Sequence, residues 1–279
     1  MFTDTDFFLA VNAFGNEQVL RALLAQYHPA FLAVPIEAQA FPELIRRVPQ
    51  FVPIFFDDVE VLYVDKDRHP RLAADYALWA LDPFALQRGG VGAMLDRTDR
   101  ATFMQELHRL WDVYPDTLLL NQLAAVVYND EGAHDRALAF AQRISRVFPE
   151  SRTGYGLIGD ALLGLKQPHQ ALKWYKMALA RSELPENRSE VYKQLGLAYS
   201  DLGAFREAYD ALNHAIDPFF SATGYKDLYN LGMAALRVDK PREAAMLFHF
   251  AAMKVPQSDT VWHERLQTIQ GAATDIRHP

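Results

Sequence analysis

Residues 118–258 contain an internal repeat, and this feature constrains the fold more than any other property of the sequence. Two prolines at predicted helix ends, Pro115 and Pro149, lie 34 residues apart. Four successive segments then carry the same residue pattern: 118–151, 152–185, 189–222 and 225–258. Self-similarity at such a period indicates stacked units, each of which buries its apolar face against its neighbours.

Small residues recur at fixed places in these segments, and they have packing reasons. Gly159, Gly196 and Gly232 would let two helices of one unit approach closely, while larger apolar side chains fill the groove beside them. Gly132 and Gly203 would form the tight turn between the helices, because glycine accepts positive φ. The pattern therefore predicts four pairs of helices.

The pattern resembles the tetratricopeptide repeat (TPR) family, whose unit is a helix–turn–helix of 34 residues. The third segment carries the resemblance most closely, with the string VYKQLGLAYSDLGAFREAYDALNHAI. The resemblance implies a mainly α fold: a TPR α-solenoid wound as a right-handed superhelix of four or five helix pairs. Residues 259–270, with Trp262, Leu266 and Ile269 on one face, would form a C-terminal capping helix.

The stretch 84–117 resembles a degenerate fifth unit. Four residues match the second helix of the pattern: Phe103, Leu107, Leu110 and Pro115. The first helix would contain three glycines between residues 89 and 92, each of which costs about 1 kcal/mol relative to alanine. The second helix is therefore the better supported half of this unit.

Residues 1–83 follow a different periodicity and predict a small α/β module. Residues 30–35 (AFLAVP) predict a buried strand, and residues 51–64 predict a β-hairpin with Asp57 and Asp58 at its turn. Three amphipathic segments predict helices: Asn16–Tyr27, Glu37–Arg47 and Arg71–Leu81.

Parts of this module are similar to the soluble tail that follows the membrane helices of some bacterial polytopic proteins of the protein O-mannosyltransferase type. The similarity rests on Phe2–Asp6, Phe14–Asn16 and Phe51–Val64. It implies an accessory soluble domain of a glycan-assembly or glycosyl-transfer membrane system, which would be periplasmic. It implies no activity, because the catalytic acidic residues of those enzymes lie in membrane loops that this sequence lacks.

Composition excludes several classes of protein. The absence of cysteine excludes disulfides and thiolate zinc sites, and leaves a cytoplasmic and a periplasmic location equally open. The net charge of -7 lies within residues 1–117, and residues 118–279 are balanced, so there is no basic stripe for nucleic acid. We expect no secretion signal at the start, and no apolar stretch approaches the roughly 20 residues of a membrane span.

Motifs of catalysis or cofactor binding are weak in this sequence. The string GYGLIG at 154–159 fits a dinucleotide fingerprint, but it falls inside a predicted repeat helix. Asp65 and Asp67 could chelate a divalent ion, although aspartates near a hairpin more commonly stabilise turns. We therefore expect no cofactor, no metal and no enzymatic activity.

Side chains of the first helices that point away from the helix–helix seam are the candidate binding residues. They are polar at the rims and apolar in the middle, as in peptide-binding grooves. The predicted groove residues are Gln122, Asn129, Asp160, Lys193, Asp201, Lys226, Tyr229, Asn230, Met233, Arg237 and His263. If Lys193, Lys226 and Arg237 come together, the ligand would be an acidic segment or a C-terminal carboxylate.

Lys193 and Asn230 also match two positions of the carboxylate clamp by which some TPR proteins bind chaperone tails. Glu264 places a negative charge where that clamp has arginine, which argues against a chaperone cofactor.

Two functions stay open from sequence. The first is a non-catalytic scaffold that binds a protein or peptide partner in the concave TPR groove. The second is an accessory domain of a bacterial glycan-assembly or glycosyl-transfer system. Self-association through exposed edges of the array is a third, simpler use of the same surfaces.

Overall fold

Helical hairpins and one small sheet make up the described residues, 4–85 and 99–275, of this computed structural model. The prediction of a mainly α, TPR-type solenoid with a small α/β module is confirmed. The chain divides into two units, residues 1–127 and residues 128–279. The division differs from the predicted boundaries at 83 and 117, because contacts described below tie the helices after residue 99 to the first unit.

The first unit combines helices with three strands. Its elements are α1 (Asp4–Ala13), α2 (Glu17–Tyr27), β1 (Phe31–Pro35), α3 (Phe41–Ile45), β2 (Phe51–Phe56), β3 (Glu60–Asp65), α4 (Pro70–Tyr76), α5 (Arg100–Val113) and α6 (Leu118–Asp130), whose last three residues belong to the second unit. The second unit is helical. It continues with α7 (His134–Val147), α8 (Arg152–Gly164), α9 (Pro168–Ala180), α10 (Pro185–Asp201), α11 (Phe205–Ala215), α12 (Tyr225–Arg237), α13 (Pro241–Lys254) and α14 (Thr260–Asp275).

The sheet is antiparallel with the strand order β1-β3-β2. The predicted strand at 30–35 and hairpin at 51–64 are both present as β1 and as β2 with β3. Asp57 forms the predicted turn, since its Oδ1 accepts hydrogen bonds from the backbone of Val59 (2.8 Å) and Glu60 (2.9 Å). The unit's core contains fully buried Phe41 and Phe56.

Two helices of the first unit are shorter than predicted. The predicted helix 37–47 begins only at Phe41, because Pro42 lacks a backbone N–H and fits only the first turn. The predicted helix 71–81 ends at Tyr76. Its last part is not helical, because the buried Glu106 carboxylate accepts hydrogen bonds from three successive backbone N–H groups, of Trp79, Ala80 and Leu81, at 2.8–3.3 Å. Helix α1 has no counterpart among the predictions.

The second helix predicted for 84–117 is present as α5, while the glycines of its first helix lie outside the described residues. Asp58, in the β2–β3 turn, caps the N-terminus of helix α6. Its two carboxylate oxygens each accept a hydrogen bond at 2.7 Å, from the backbone of Leu118 and Leu119. Helix α5 and the start of helix α6 therefore belong to the first unit.

Four inter-helix turns share one conformation. In each turn the residue two positions before the second helix has positive φ: Gly132 (74°), Lys166 (60°), Gly203 (74°) and Asp239 (61°). Its N–H bonds the carbonyl three residues back, and the next N–H bonds the carbonyl five residues back, at 2.8–3.2 Å. This is a left-handed helix cap that reverses the chain within three residues. The predicted roles of Gly132 and Gly203 are confirmed.

Glycines in the first helix of three pairs lie against a large side chain of the second helix, sixteen residues later. A Cβ added at Gly196 would lie 2.5 Å from Leu212 Cγ, and one at Gly232 would lie 2.6 Å from Phe248 Cε1. Gly159 faces the buried ring of Tyr175 in the same way. The close approach predicted from these glycines is therefore confirmed, and it fixes the rotational register of each helix.

Candidate functional site

The first helices of these three pairs, α8, α10 and α12, are called A helices below, and their partners α9, α11 and α13 are called B helices. Gly159, Gly196 and Gly232 mark the side of each A helix that touches its B helix. Four positions of each A helix lie roughly 60° to 160° around the helix from that seam. They are the residues three and two positions before the glycine and the residues one and five positions after it. We call this surface the A-helix face.

Most predicted groove residues of the second unit share the A-helix face. They occupy equivalent positions relative to the glycines: Asp160, Lys193, Asp201, Tyr229, Asn230, Met233 and Arg237. Gln122 and Asn129 lie in α6, and His263 lies in α14. Asn129 is engaged locally, with its Oδ1 2.7 Å from His134 Nδ1, and His263 Nε2 lies 3.2 Å from the carbonyl of Pro256.

Asp160 is enclosed by hydrogen bonds. Its carboxylate accepts one from the Tyr175 hydroxyl of its own B helix (2.8 Å) and one from Gln194 Nε2 of the next A helix (3.2 Å). Burial raises the pKa of Asp160 to about 7, the Tyr175 hydrogen bond opposes that shift, and nearby Glu190 adds to it. The group titrates near neutral pH and is committed to intramolecular contacts.

Lys193 also joins successive A helices. Its Nζ lies 2.8 Å from Asp227 Oδ2 in α12 and 3.6 Å from Glu190 Oε2 in its own helix. Burial opposes the charge of Lys193, but the hydrogen bond and the attraction of Asp227 and Glu190 outweigh it, so the pKa is raised. The positive charge of the ammonium group is therefore already paired with carboxylates of the protein itself.

The predicted cationic cluster of Lys193, Lys226 and Arg237 is not formed. Lys226 and Arg237 lie in the first and last turns of the same helix, about 16 Å apart along its axis. Arg237 stacks over the Phe205 ring at 5.0 Å, and Lys226 lies 5.8 Å from the Tyr225 ring. The spacing of Lys226 and Arg237 already implies this separation, since eleven residues of one helix span about 16 Å, whereas the prediction of a cluster rested on their like charge.

The middle of the A-helix face is amphipathic. Tyr229 packs edge-on against Trp262 of α14, with ring centroids 5.1 Å apart, and Met233 is half-buried beside it. Leu197, at the position equivalent to Met233 in the preceding A helix, is 37% exposed. Asn230, on the same face, is half-buried, and its amide has no hydrogen-bond partner within the described part of the chain.

A ladder of polar contacts connects the second repeat to the third, the third to the fourth and the fourth to the residues that follow it, and sequence analysis missed it. Four side-chain pairs are separated by 34 residues: Asp160–Gln194, Lys193–Asp227, Tyr209–Glu243 and Tyr225–Asp259, at 2.7–3.2 Å. The signal was present in the sequence as hydrogen-bonding residues one period apart. The repeat pattern consists of small and apolar residues, so these polar pairs lie outside it.

A cavity of about 950 Å³ adjoins the A-helix face where α10 and α12 begin. Its charged lining carries both signs, from Arg188, Glu190, Lys193, Asp217 and Asp227. Lys254 holds the loop on one side, since its Nζ donates to the carbonyls of Phe220, Ser221 and Thr223 at 2.8–3.1 Å. The mixed charge gives this cavity no preference for an acidic ligand.

The other chemistry considered from sequence has structural explanations. The GYGLIG string lies within helix α8, so its glycines do not open a helix toward a phosphate. Asp65 Oδ1 accepts backbone hydrogen bonds from Asp67 (3.0 Å) and Arg68 (3.3 Å), as a turn residue does. Within residues 4–85 and 99–275, no cluster of three histidines or acids could hold a metal ion, and no helix has the length and apolar character needed to cross a membrane.

Solved structures of TPR proteins share this fold. TTC0263, a thermophilic TPR protein of Thermus thermophilus, aligns over 67% of this chain and 92% of its own, with a TM-score of 0.50 and 19% identity. PilW, a type IV pilus biogenesis factor, aligns over 68% of this chain and 83% of its own (TM-score 0.51, 16% identity). A chain of the APC/C Cut9–Hcn1 hetero-tetramer aligns over 92% of this chain and 48% of its own (TM-score 0.57, 13% identity).

No family model matches the sequence, and no curated protein matches it. The similarities to solved structures establish the TPR fold and carry no function at this level of identity. The resemblance of the N-terminal module to tails of O-mannosyltransferase-like proteins stays a prediction from sequence.

Proposed function

We propose that the second unit is a non-catalytic interaction scaffold whose A-helix face binds an extended segment of a partner protein. The TPR fold supports this use, because stacked repeats expose one continuous face formed by successive A helices. The proposal extends the sequence prediction of a peptide groove, but it drops the acidic ligand. Lys193 is paired, and Lys226 and Arg237 lie at opposite ends of α12.

The side chain of Asn230 is the observation that carries the proposal. An asparagine amide offers two donors and one acceptor, which match the C=O and N–H groups of an extended backbone. In this protein the amide is half-buried and unpaired within the described residues, and it shares the A-helix face of α12 with Tyr229 and Met233. A bound segment would satisfy the amide and cover the apolar side chains around it, which is how polar groups orient a ligand in an apolar groove.

Selection of peptides on the full chain tests this proposal. A randomised decapeptide library displayed on phage is selected on the wild-type protein, and the recovered peptides are synthesised with a fluorescent label. We expect Asn230→Ala to weaken binding of A-helix-face peptides about tenfold, as the loss of one well-placed hydrogen-bonding group does.

Asn213→Ala is the matched control, because Asn213 is exposed on B helix α11 and should not affect binding. Met233→Glu should abolish the same binding while helical circular dichroism is preserved. If no recovered peptide distinguishes Asn230→Ala from Asn213→Ala, the A-helix face is not the binding surface.

A further inference from the structure

An apolar cavity of about 710 Å³ lies in the first unit, between helices α1 and α2 and strand β1. Its floor is buried, with Leu20 2% exposed and Val34 and Phe41 fully buried. Half-buried Leu23 and four consecutive residues of β1, from Phe31 to Val34, complete the wall beside the strand. The cavity therefore runs along the edge of the sheet.

Strand β1 is an edge strand, and its register shows which backbone groups face outward. The N–H of Asp65 bonds the carbonyl of Ala30 (2.9 Å), and the N–H of Ile36 bonds the carbonyl of Val59 (2.9 Å). Antiparallel pairing alternates, so the even-numbered residues of β1 face β3 and the odd-numbered residues present N–H and C=O to the open edge.

The open edge is short. Within the described residues, the outward N–H groups of Phe31 and Ala33 have no partner. Pro35, the next outward residue, has no N–H, and its carbonyl accepts from Ala38 (3.0 Å). The N–H and C=O groups of Phe31 and Ala33 are thus available to a ligand. Pro35 ends the open edge on one side.

The opposite edge of the same sheet is covered at Pro53 by the chain itself. The outward carbonyl of Pro53 in β2 accepts a hydrogen bond from Leu78 (2.8 Å), which directly precedes the backbone groups bound by Glu106. The contrast is informative because exposed strand edges are normally covered or blocked. Only at β1, among the described strands, does an uncovered edge adjoin an apolar cavity.

We propose that a short extended peptide of a partner protein adds to β1 as a fourth strand and places an apolar side chain at every second residue in this cavity. An acyl chain would fill the cavity but offer no acceptor to the N–H groups of Phe31 and Ala33, whereas an added strand bonds both. Since β1 spans five residues, or about 17 Å, the bound segment is of similar length. The site is separate from the A-helix face.

The same phage library tests the site on the full chain, by comparing peptide selection on wild type with selection on Ala33→Pro. Proline removes the outward N–H without removing a ladder bond, so the fold should persist. Ala33→Val keeps the N–H and is the matched control. Leu23→Lys puts a charge into the cavity without touching the strand, and it tests the site even if Ala33→Pro disturbs folding.

We expect recovered peptides with apolar residues at alternate positions that bind wild type and Ala33→Val but bind Ala33→Pro and Leu23→Lys at least tenfold more weakly. Hydrogen exchange at Phe31 and Ala33 should slow at least tenfold in the bound state. Peptides with apolar residues three and four apart would indicate a helix in the cavity and would overturn the proposal. So would unchanged exchange at both amides, or the absence of any peptide that depends on Ala33 and Leu23.

Discussion

The Asp160 carboxyl group couples the stability of the repeat array to pH. Its pKa in the folded protein is about 7, against 3.8 in an unfolded chain, because folding buries it. Between these values the folded state binds more protons than the unfolded state, so the free energy of unfolding falls as the pH rises from about 4 to about 7. The stabilising, protonated form is lost above that range.

Asp160→Asn should remove this dependence, because the amide keeps an acceptor for the Tyr175 hydroxyl and has no charge to bury. We expect the variant to unfold with a free energy at least about 1 kcal/mol higher than wild type at pH 8, with little difference at pH 4. Urea unfolding at the two pH values measures it. Asp201→Asn, at an exposed position of the same face, is the control and should change neither value. If the free energy of unfolding changed with pH in the same way in wild type and in Asp160→Asn, this account would be contradicted.

At the scale of helices and strands, the four turns between helices show the cost in stability of a non-glycine residue with positive φ. Gly132 and Gly203 adopt positive φ without steric strain, whereas Lys166 adopts the same conformation with a Cβ. Lys166→Gly should therefore stabilise the protein by about 0.5–1 kcal/mol, as measured by the midpoint of urea unfolding.

Lys173→Gly provides the matched comparison for this turn. Lys173 is exposed in the interior of helix α9, where glycine costs about 1 kcal/mol. The two identical substitutions should thus shift stability in opposite directions. If both destabilise the protein, the turn at Lys166 does not carry the strain that its φ indicates.

These turns also show how far sequence determines the elements. Helix pairs, β-hairpin and seam glycines were predictable because each has a local signal: a period, a turn residue or a small residue. The turn at Lys166 had no such signal, because stacking of the flanking helices imposes its conformation. The end of α4 at Tyr76 was equally invisible, since it depends on Glu106, thirty residues away.

The sequence predicts which side of the helices carries the candidate residues. It does not predict which of those residues are already bound to other parts of the protein. The helical period assigned Tyr229, Asn230 and Met233 to one side of α12, and the seam at Gly232 agrees with that register. The period of small and apolar residues alone did not show that Asp160 and Lys193 are bound to the adjacent A helix, although each of them has a hydrogen-bonding residue one period later. Contacts between repeats depend on how neighbouring units stack, which one helix does not encode.

For the repeat array as a whole, we expect the polar ladder to contribute to how strongly neighbouring repeats unfold together. Each repeat of a solenoid contacts its neighbours only, so stability is a sum of repeat terms and interface terms. The Lys193–Asp227 pair lies at one such interface, 2.8 Å apart, with both side chains only 27–28% exposed. This pair should contribute to the interface term, whereas a pair within one helix should not.

A double-mutant cycle of Lys193→Ala and Asp227→Ala measures that contribution. We expect a coupling of about 0.5–1 kcal/mol in urea unfolding, because the pair is partly shielded from water. The cycle of Lys193→Ala with Glu190→Ala is the internal control. Glu190 lies 3.6 Å from the same ammonium within one helix and is 58% exposed, so its coupling should be clearly smaller. Equal coupling in the two cycles would mean that the contact between repeats adds nothing beyond a surface ion pair, and the ladder would then not link the unfolding of neighbouring units.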